Sequence, residues 1–149
     1  MDATTPPARI LIADDNPQGV ELLEAYLGER DYEVATAADG EATLQKVQTW
    51  HPDLILLDIM MPKISGFEVC KRLRANPATR QIAVLMITAL DQPSDVDRAN
   101  EAGADDFVTK PIDKTTLLLR VRALLAARRH PGELERTLAY IEAVEKGRP

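Results

Sequence analysis

Residues 10–15 read ILIADD and residues 54–58 read LILLD. In each, four apolar residues run without interruption into a carboxylate. A strand that is apolar on both of its alternating faces belongs inside a parallel sheet covered by helices on both sides, so these two are central strands. Working outward, Glu33–Thr36, Val84–Ile87 and Phe107–Thr109 are further short strand candidates bounded by turn or polar residues. The stretch YEVATA around the first of them alternates in polarity and suits a sheet edge.

Helical patterns fill the gaps. Asn16 and Pro17 form a cap and first turn, Asp39 or Gly40 opens the second helix, and Gly66 leads into FEVCKRLRAN, stopped by Asn76 and Pro77. Ser94–Ala102 follows, with Ser94 and Asp97 placed as a capping box and Gly103 as its stop; the fifth helix begins at Asp113. Five strand-then-helix units joined by right-handed crossovers make an α/β fold, a doubly wound five-stranded parallel sheet with helices on both faces. The expected organisation is a mobile arm at residues 1–8, one domain at 9–129 and a C-terminal helical extension at 130–149. In the extension Leu134, Leu138, Ile141 and Val144 share a face, and so short a helix needs a surface to lie on.

The 149 residues suffice for one domain with a core, and 45% apolar with 28% charged residues is the balance of a globular chain. No apolar run is long enough to cross a bilayer, and the opening MDATTPPA has neither the basic nor the apolar region of a signal peptide. With one cysteine, Cys70, the cytoplasm is the expected compartment. Twenty-four acidic against 18 basic residues give a formal charge of -6, which disfavours direct nucleic-acid binding. His51 and His130 offer no zinc-type cluster, so any metal here is a hard ion on carboxylates.

In an open parallel sheet the ligand site lies beyond the carboxyl ends of the strands. Those ends carry Asp14 and Asp15, Asp58, Thr88, and Lys110 followed by Pro111. Singly, each has a bland reading as a turn, cap or solvated residue. Together, three converging carboxylates repel one another unless positive charge sits among them. Mg2+ with Lys110 supplies it: the ion takes oxygen ligands shared with a phosphate, the ammonium meets a phosphoryl oxygen, and the Thr88 hydroxyl gives a hydrogen bond.

On these residues the chain resembles the receiver domains of bacterial two-component response regulators. The resemblance rests on ILIADDN, on LILLDIMMPKISGFEVC, on LMITA and on GADDFVTKP. It implies a flavodoxin-like strand order of 2-1-3-4-5. It implies Asp58 as phosphoacceptor, Asp15 and Asp58 as direct Mg2+ ligands, Asp14 as a ligand largely through water, and the Met60 backbone carbonyl as a further ligand. Lys110 and Thr88 would take phosphoryl oxygens, the Lys110–Pro111 bond would be cis, and Thr88 with Phe107 would form the switch. Met60 and Leu90 stand where the family tunes dephosphorylation, and neither apolar side chain can orient a water, so a long-lived phosphoryl group is expected.

The implied partners are a histidine kinase or histidine phosphotransfer protein and a downstream effector protein. A homodimer through the fourth and fifth helices, using Asp97, Glu101, Arg120 and Arg122, or through the C-terminal helix, is a further expectation. The basic end of the fifth helix, with Arg120, Arg122, Arg128 and Arg129, is read as complementing the helix dipole. The local wording is closest to receivers that precede diguanylate cyclase domains, so the chain is either a stand-alone receiver or the receiver portion of a longer regulator. A phosphorylation-independent adapter is disfavoured by the intact acidic set. An aspartyl-phosphate phosphatase needs a second aspartate two residues after the nucleophile, where Met60 stands. Apart from self-phosphorylation and slow autodephosphorylation, no enzymatic activity is expected.

Overall fold

The computed structural model describes residues 6–89, 93–128 and 132–146. Strand β1 (Ala8–Ala13) is followed by α1 (Pro17–Leu27), β2 (Tyr32–Ala37), α2 (Gly40–Trp50), β3 (Leu54–Asp58) and α3 (Gly66–Ala75). Then come β4 (Ala83–Thr88), α4 (Pro93–Ala102), β5 (Asp106–Thr109), α5 (Lys114–Ala127) and α6 (Glu133–Lys146). The five strands form one sheet in the order β2-β1-β3-β4-β5, and every pair is parallel. The fold class, strand order and C-terminal helix expected from the sequence are all present.

Period-2 alternation divides the core into two layers. Leu11, Ala13, Ile55, Leu57, Val84 and Met86 point to one face and pack against Val47 of α2, Phe67, Val69, Cys70 and Leu73 of α3, and Ala99 and Ala102 of α4. Their neighbours Ile10, Ile12, Leu54, Leu56, Leu85 and Ile87 point to the other face, against Leu23 and Leu27 of α1 and Leu117, Leu118, Val121 and Leu124 of α5. Each fully buried Leu or Ile contributes roughly 1.5–3 kcal/mol, so the central strands set the register of the sheet. Strand β2, at the edge, is only partly buried.

The helices start where the cap chemistry indicates. Asn16, Asp39, Ser65 and Asp113 each accept a backbone N–H of the first turn, and Pro17 occupies the first helical position of α1. Gly103, at φ 94°, ends α4 in the left-handed region that favours glycine. The proposed box residue Ser94 and the tuning residue Leu90 have side chains outside the described residues, as does Arg129. Ala8, the last residue assigned to the arm, pairs with Tyr32 in β1, and residues 1–5 lie outside the described residues. Cys70 is a buried thiol, its pKa pushed up to about 11 by burial.

Two features of the C-terminal half are set by packing. Helix α6 packs on α5, but through Tyr140, which joins the core layer beneath α5, and buried Val144. Leu134, Leu138 and Ile141, which share a helical stripe with Val144 in the sequence pattern, are 70%, 57% and 47% exposed, so that part of the stripe is not covered by the receiver body. The reason is the Tyr140 hydroxyl, which donates to Asp106 of β5; burying that ring with its polar end satisfied selects a neighbouring face of the helix. Among the described residues, Arg128 stands at the carboxyl end of α5, where a positive charge complements the dipole, and the other two arginines do not. Arg120 and Arg122 sit mid-helix, Arg120 donates to Asp106 and lies within reach of Tyr140, and the capping residue Arg128 donates to Asp53 at 2.9 Å. Arg120 is thus engaged within the chain.

Candidate functional site

At the carboxyl edge of the sheet, the first residue past β1 is Asp14, the last residues of β3 and β4 are Asp58 and Thr88, and the first residue past β5 is Lys110. Parallel pairing in register brings these ends to one level: Asp58 stands opposite Ile87, and Thr88 opposite Thr109. Backbone bonds extend the ladder into the loops, from Asp14 N to Ala37 O at 3.1 Å, Ile59 N to Ile87 O at 3.2 Å and Lys110 N to Thr88 O at 2.8 Å. The Lys110–Pro111 peptide is cis.

The side chains converge. Carboxylate oxygens of Asp14, Asp15 and Asp58 lie within 4.8 Å of one another. Lys110 Nζ donates to Asp58 Oδ2 at 3.2 Å and stands 4.0 Å from Asp14 Oδ2. Asp14, Asp58 and Thr88 are 3%, 5% and 3% exposed, whereas Asp15 is exposed, so the cluster is a wall of buried groups with one carboxylate at its mouth. Asp14 Oδ1 accepts the Asn16 N–H at 2.9 Å and Asp58 Oδ1 accepts the Met60 N–H at 2.9 Å, which fixes both carboxylates. Phe107, half-buried on β5 opposite Met86, packs against the core layer under α3 and α4.

The electrostatics are unbalanced. Burial raises the Asp14 pKa, the nearby Asp58 carboxylate raises it further, and the Asn16 N–H and Lys110 oppose the shift without cancelling it. Asp14 Oδ2 is buried and makes no hydrogen bond. A buried acceptor without a donor is destabilising by about 1–3 kcal/mol, more when charged. One ammonium group for three carboxylates leaves this place suited to a further cation. An all-oxygen donor set fits a hard divalent ion such as Mg2+.

Two glycines make room for this arrangement. A Cβ on Gly66 would lie 2.4 Å from the Asp58 carbonyl oxygen, so α3 starts against the backbone that carries Asp58. A Cβ on Gly19 would lie 2.7 Å from Asp14 Oδ2. The sequence marks Gly66 as the lead into a helix and as part of the LILLDIMMPKISGFEVC resemblance, and passes over Gly19, because contact between distant backbone segments leaves no periodic or compositional signal. All the residues expected at the rim (Asp14, Asp15, Asp58, Thr88 and Lys110) are brought together, with Met60 in the loop that follows β3. Trp50 and His51 lie elsewhere: Arg9 and Lys46 cover the indole at 5.6 and 5.7 Å, and His51 caps α2 at φ 54°.

Comparison with known proteins agrees with this geometry. Residues 10–122 match the family model described as the response regulator receiver domain. The response regulator PleD of Caulobacter vibrioides is 51% identical over 117 residues, 78% of this chain and 26% of that protein. The DNA-binding dual master transcriptional regulator RpaA of Synechocystis is 42% identical over 139 residues, 93% of this chain and 56% of that protein. The chain therefore spans between about a quarter and just over half of the length of these relatives. Among solved structures, the signal receiver domain of a signal transduction histidine kinase from Syntrophus aciditrophicus superposes with a TM-score of 0.78 at 35% identity, covering 85% of this chain and 96% of that one. The chemotaxis response regulator CheY4 of Vibrio cholerae gives 0.73 at 32% identity, covering 78% of this chain and 97% of that one.

Proposed function

Because the chain belongs to the response regulator receiver domain family, we propose that Asp58 accepts a phosphoryl group and that the charge so added changes the surface this protein offers to a partner. The observation that carries this reading is the buried, unpartnered Asp14 Oδ2 beside a second carboxylate and one ammonium group. Such a site is unfavourable as it stands and becomes favourable when a cation and a phosphoryl group complete it. Asp14, Asp15 and Asp58, with the Met60 carbonyl, would hold Mg2+; when bound, the ion neutralises the charge on the transferring phosphoryl oxygens.

The remaining chemistry belongs to the chain's own residues. A carboxylate oxygen of Asp58 attacks phosphorus, an O–P bond forms, and the bond to the donor's leaving group breaks. On a phosphohistidine the leaving group is the imidazole nitrogen. Asp58 attacks as the anion, so no general base is required. Lys110, now on Asp58 Oδ2, follows the charge onto a phosphoryl oxygen, and the Thr88 hydroxyl donates to another. The path from site to surface runs along β5, where Phe107 lies three residues before Lys110. Phe107 has no hydroxyl and can act only by changing its packing.

The donor in this reading is a histidine kinase or a histidine phosphotransfer protein, and the receiver of the signal is an effector protein. The receiver unit is assigned to residues 9–129, with 130–149 as its helical extension. Among the described residues no helix is long and apolar enough to cross a membrane. Met60 is 64% exposed and has neither amide nor carboxylate to orient a water, which favours a phosphoryl lifetime of minutes or longer; a half-life of seconds would argue against this assignment. The test is intact mass after incubation with acetyl phosphate. One phosphoryl group is expected with Mg2+, and none with EDTA or with Asp58→Asn. Gain of mass by the Asp58→Asn chain would overturn the assignment.

A further inference from the structure

Two successive acids open β5, Asp105 just before the strand and Asp106 as its first residue, and α6 is tied to both. The Tyr140 hydroxyl donates to Asp106 Oδ2, and the Arg136 guanidinium acts on the charge of Asp105. Arg120 of α5 donates to the same Asp106 oxygen, so one carboxylate joins β5, α5 and α6. Its other oxygen, Oδ1, accepts the Phe107 N–H at 2.8 Å. Four residues after Asp106 comes Lys110, whose Nζ stands 3.2 Å from Asp58 Oδ2. A short run of β5 thus connects the acidic rim to the anchor of the C-terminal helix.

The apolar part of this docking is small. Val144 is buried and the Tyr140 ring joins the layer beneath α5, but Leu134, Leu138 and Ile141, the other large apolar residues of α6, are exposed. An element that buries little apolar surface sits at the low end of local stability and opens at small cost. What holds α6 is therefore in good part polar, directional and centred on the first residues of β5. Hydrogen bonds weaken steeply as they bend or lengthen. A carboxylate shared by the Phe107 N–H and the Tyr140 hydroxyl consequently passes a movement of one to the other.

We propose that α6 is a latch on the amino end of β5 and that phosphorylation releases it, an inference that rests on Asp58 as the phosphoacceptor. Lys110 leaves Asp58 Oδ2 for a phosphoryl oxygen, Thr88 follows and Phe107 repacks. The Phe107 N–H then draws on Asp106, and the Tyr140 anchor is lost. Release uncovers the part of α5 on which α6 packs, and this is the surface that changes for a partner. Coupling between two sites is reciprocal, so loosening α6 favours the phosphoryl-bound state by the same factor.

The test is amide hydrogen exchange on the full wild-type chain in Mg2+, without and with acetyl phosphate, with intact mass taken from the same samples. The phosphorylated chain is expected to exchange about fivefold faster across α6, as loss of one such hydrogen bond implies, while β1–β4 keep their protection. Calorimetry with fluoroberyllate, a stable mimic of the phosphoryl group, then compares wild type, Tyr140→Phe and Leu138→Ala in Mg2+. Tyr140→Phe is expected to bind it about fivefold more tightly than wild type, and Leu138→Ala, an exposed site away from the anchor, to match wild type. No phosphoryl group on the wild-type chain, or no binding of fluoroberyllate to it, would remove the assignment of Asp58 and the latch with it. A phosphorylated chain with unchanged or slower exchange in α6 would overturn the latch alone. So would a gain below about twofold in Tyr140→Phe, the low end for one hydrogen bond, or an equal gain in Leu138→Ala.

Discussion

Replacing Asp14 by asparagine should stabilise the metal-free protein while removing its capacity for Mg2+. The new carboxamide keeps an oxygen for the Asn16 N–H, the bond now made at 2.9 Å. In place of Oδ2, which is buried without a donor, it puts an amide N–H beside the Asp58 carboxylate, so repulsion becomes attraction. The Lys110–Asp58 contact at 3.2 Å is untouched. An unsatisfied buried acceptor is destabilising by about 1–3 kcal/mol, and part of that is returned because Lys110, at 4.0 Å, loses a neighbour of opposite charge. The net expectation is a gain of about 1–2 kcal/mol, or a rise in Tm of roughly 2–8 °C for a chain of this size.

The pH dependence gives a second reading of the same group. The folded pKa of Asp14 lies above its ordinary 3.8, so across that interval the native state holds more proton than the unfolded state. Stability of the wild type therefore falls as pH rises through the interval, and the Asp14→Asn chain lacks that part of the fall. The assay is urea or thermal denaturation in EDTA, repeated at saturating Mg2+. Ion at a hundred times its dissociation constant would add about 2.7 kcal/mol to the wild type and little to the variant. A variant less stable than wild type in EDTA, or one that gains as much from Mg2+, would refute the reasoning.

Gly66→Ala should lower stability by about 3 kcal/mol, the upper end of overpacking, because the 2.4 Å contact is with the Asp58 backbone; an unchanged urea midpoint would contradict it. Arg74→Met removes four hydrogen bonds and the ion pair of Asp105, which keeps the Val84 N–H at 2.8 Å. Since the Asp105 side chain is 40% exposed, the expected loss is about 2–3 kcal/mol in denaturant unfolding, below that of a fully buried pair. Tyr140→Phe should weaken α6 docking by about 1 kcal/mol, seen as faster amide exchange within α6 while β1–β5 keep their protection; unchanged exchange in α6 would count against the Tyr140–Asp106 link.

Most of the fold was legible because its signals are local. ILIA and LILL mark two buried central strands, and Asn16, Asp39 and Asp113 mark helix starts. The acidic rim was legible once strand order placed Asp14, Asp15, Asp58, Thr88 and Lys110 at one edge. What escaped was long-range and chosen by packing. Tyr140 reaches Asp106 across 34 residues and Arg74 reaches Asp105 across 31; both contacts depend on where helices come to rest. The stripe of Leu134, Leu138 and Ile141 has helical period, yet a single tyrosine with a satisfied hydroxyl turned α6 onto another face. Gly19 and Gly66 matter through atoms they lack, which no pattern reports.

The central claim is that a phosphoryl group is accepted at one particular carboxylate in a cluster of three. Borohydride reduction of the freshly phosphorylated chain converts an aspartyl phosphate to homoserine, and peptide sequencing by mass spectrometry then locates it. The account predicts homoserine at position 58 and aspartate at 14 and 15. Homoserine at either of the latter, or phosphate recovered on a hydroxyl side chain, would contradict it.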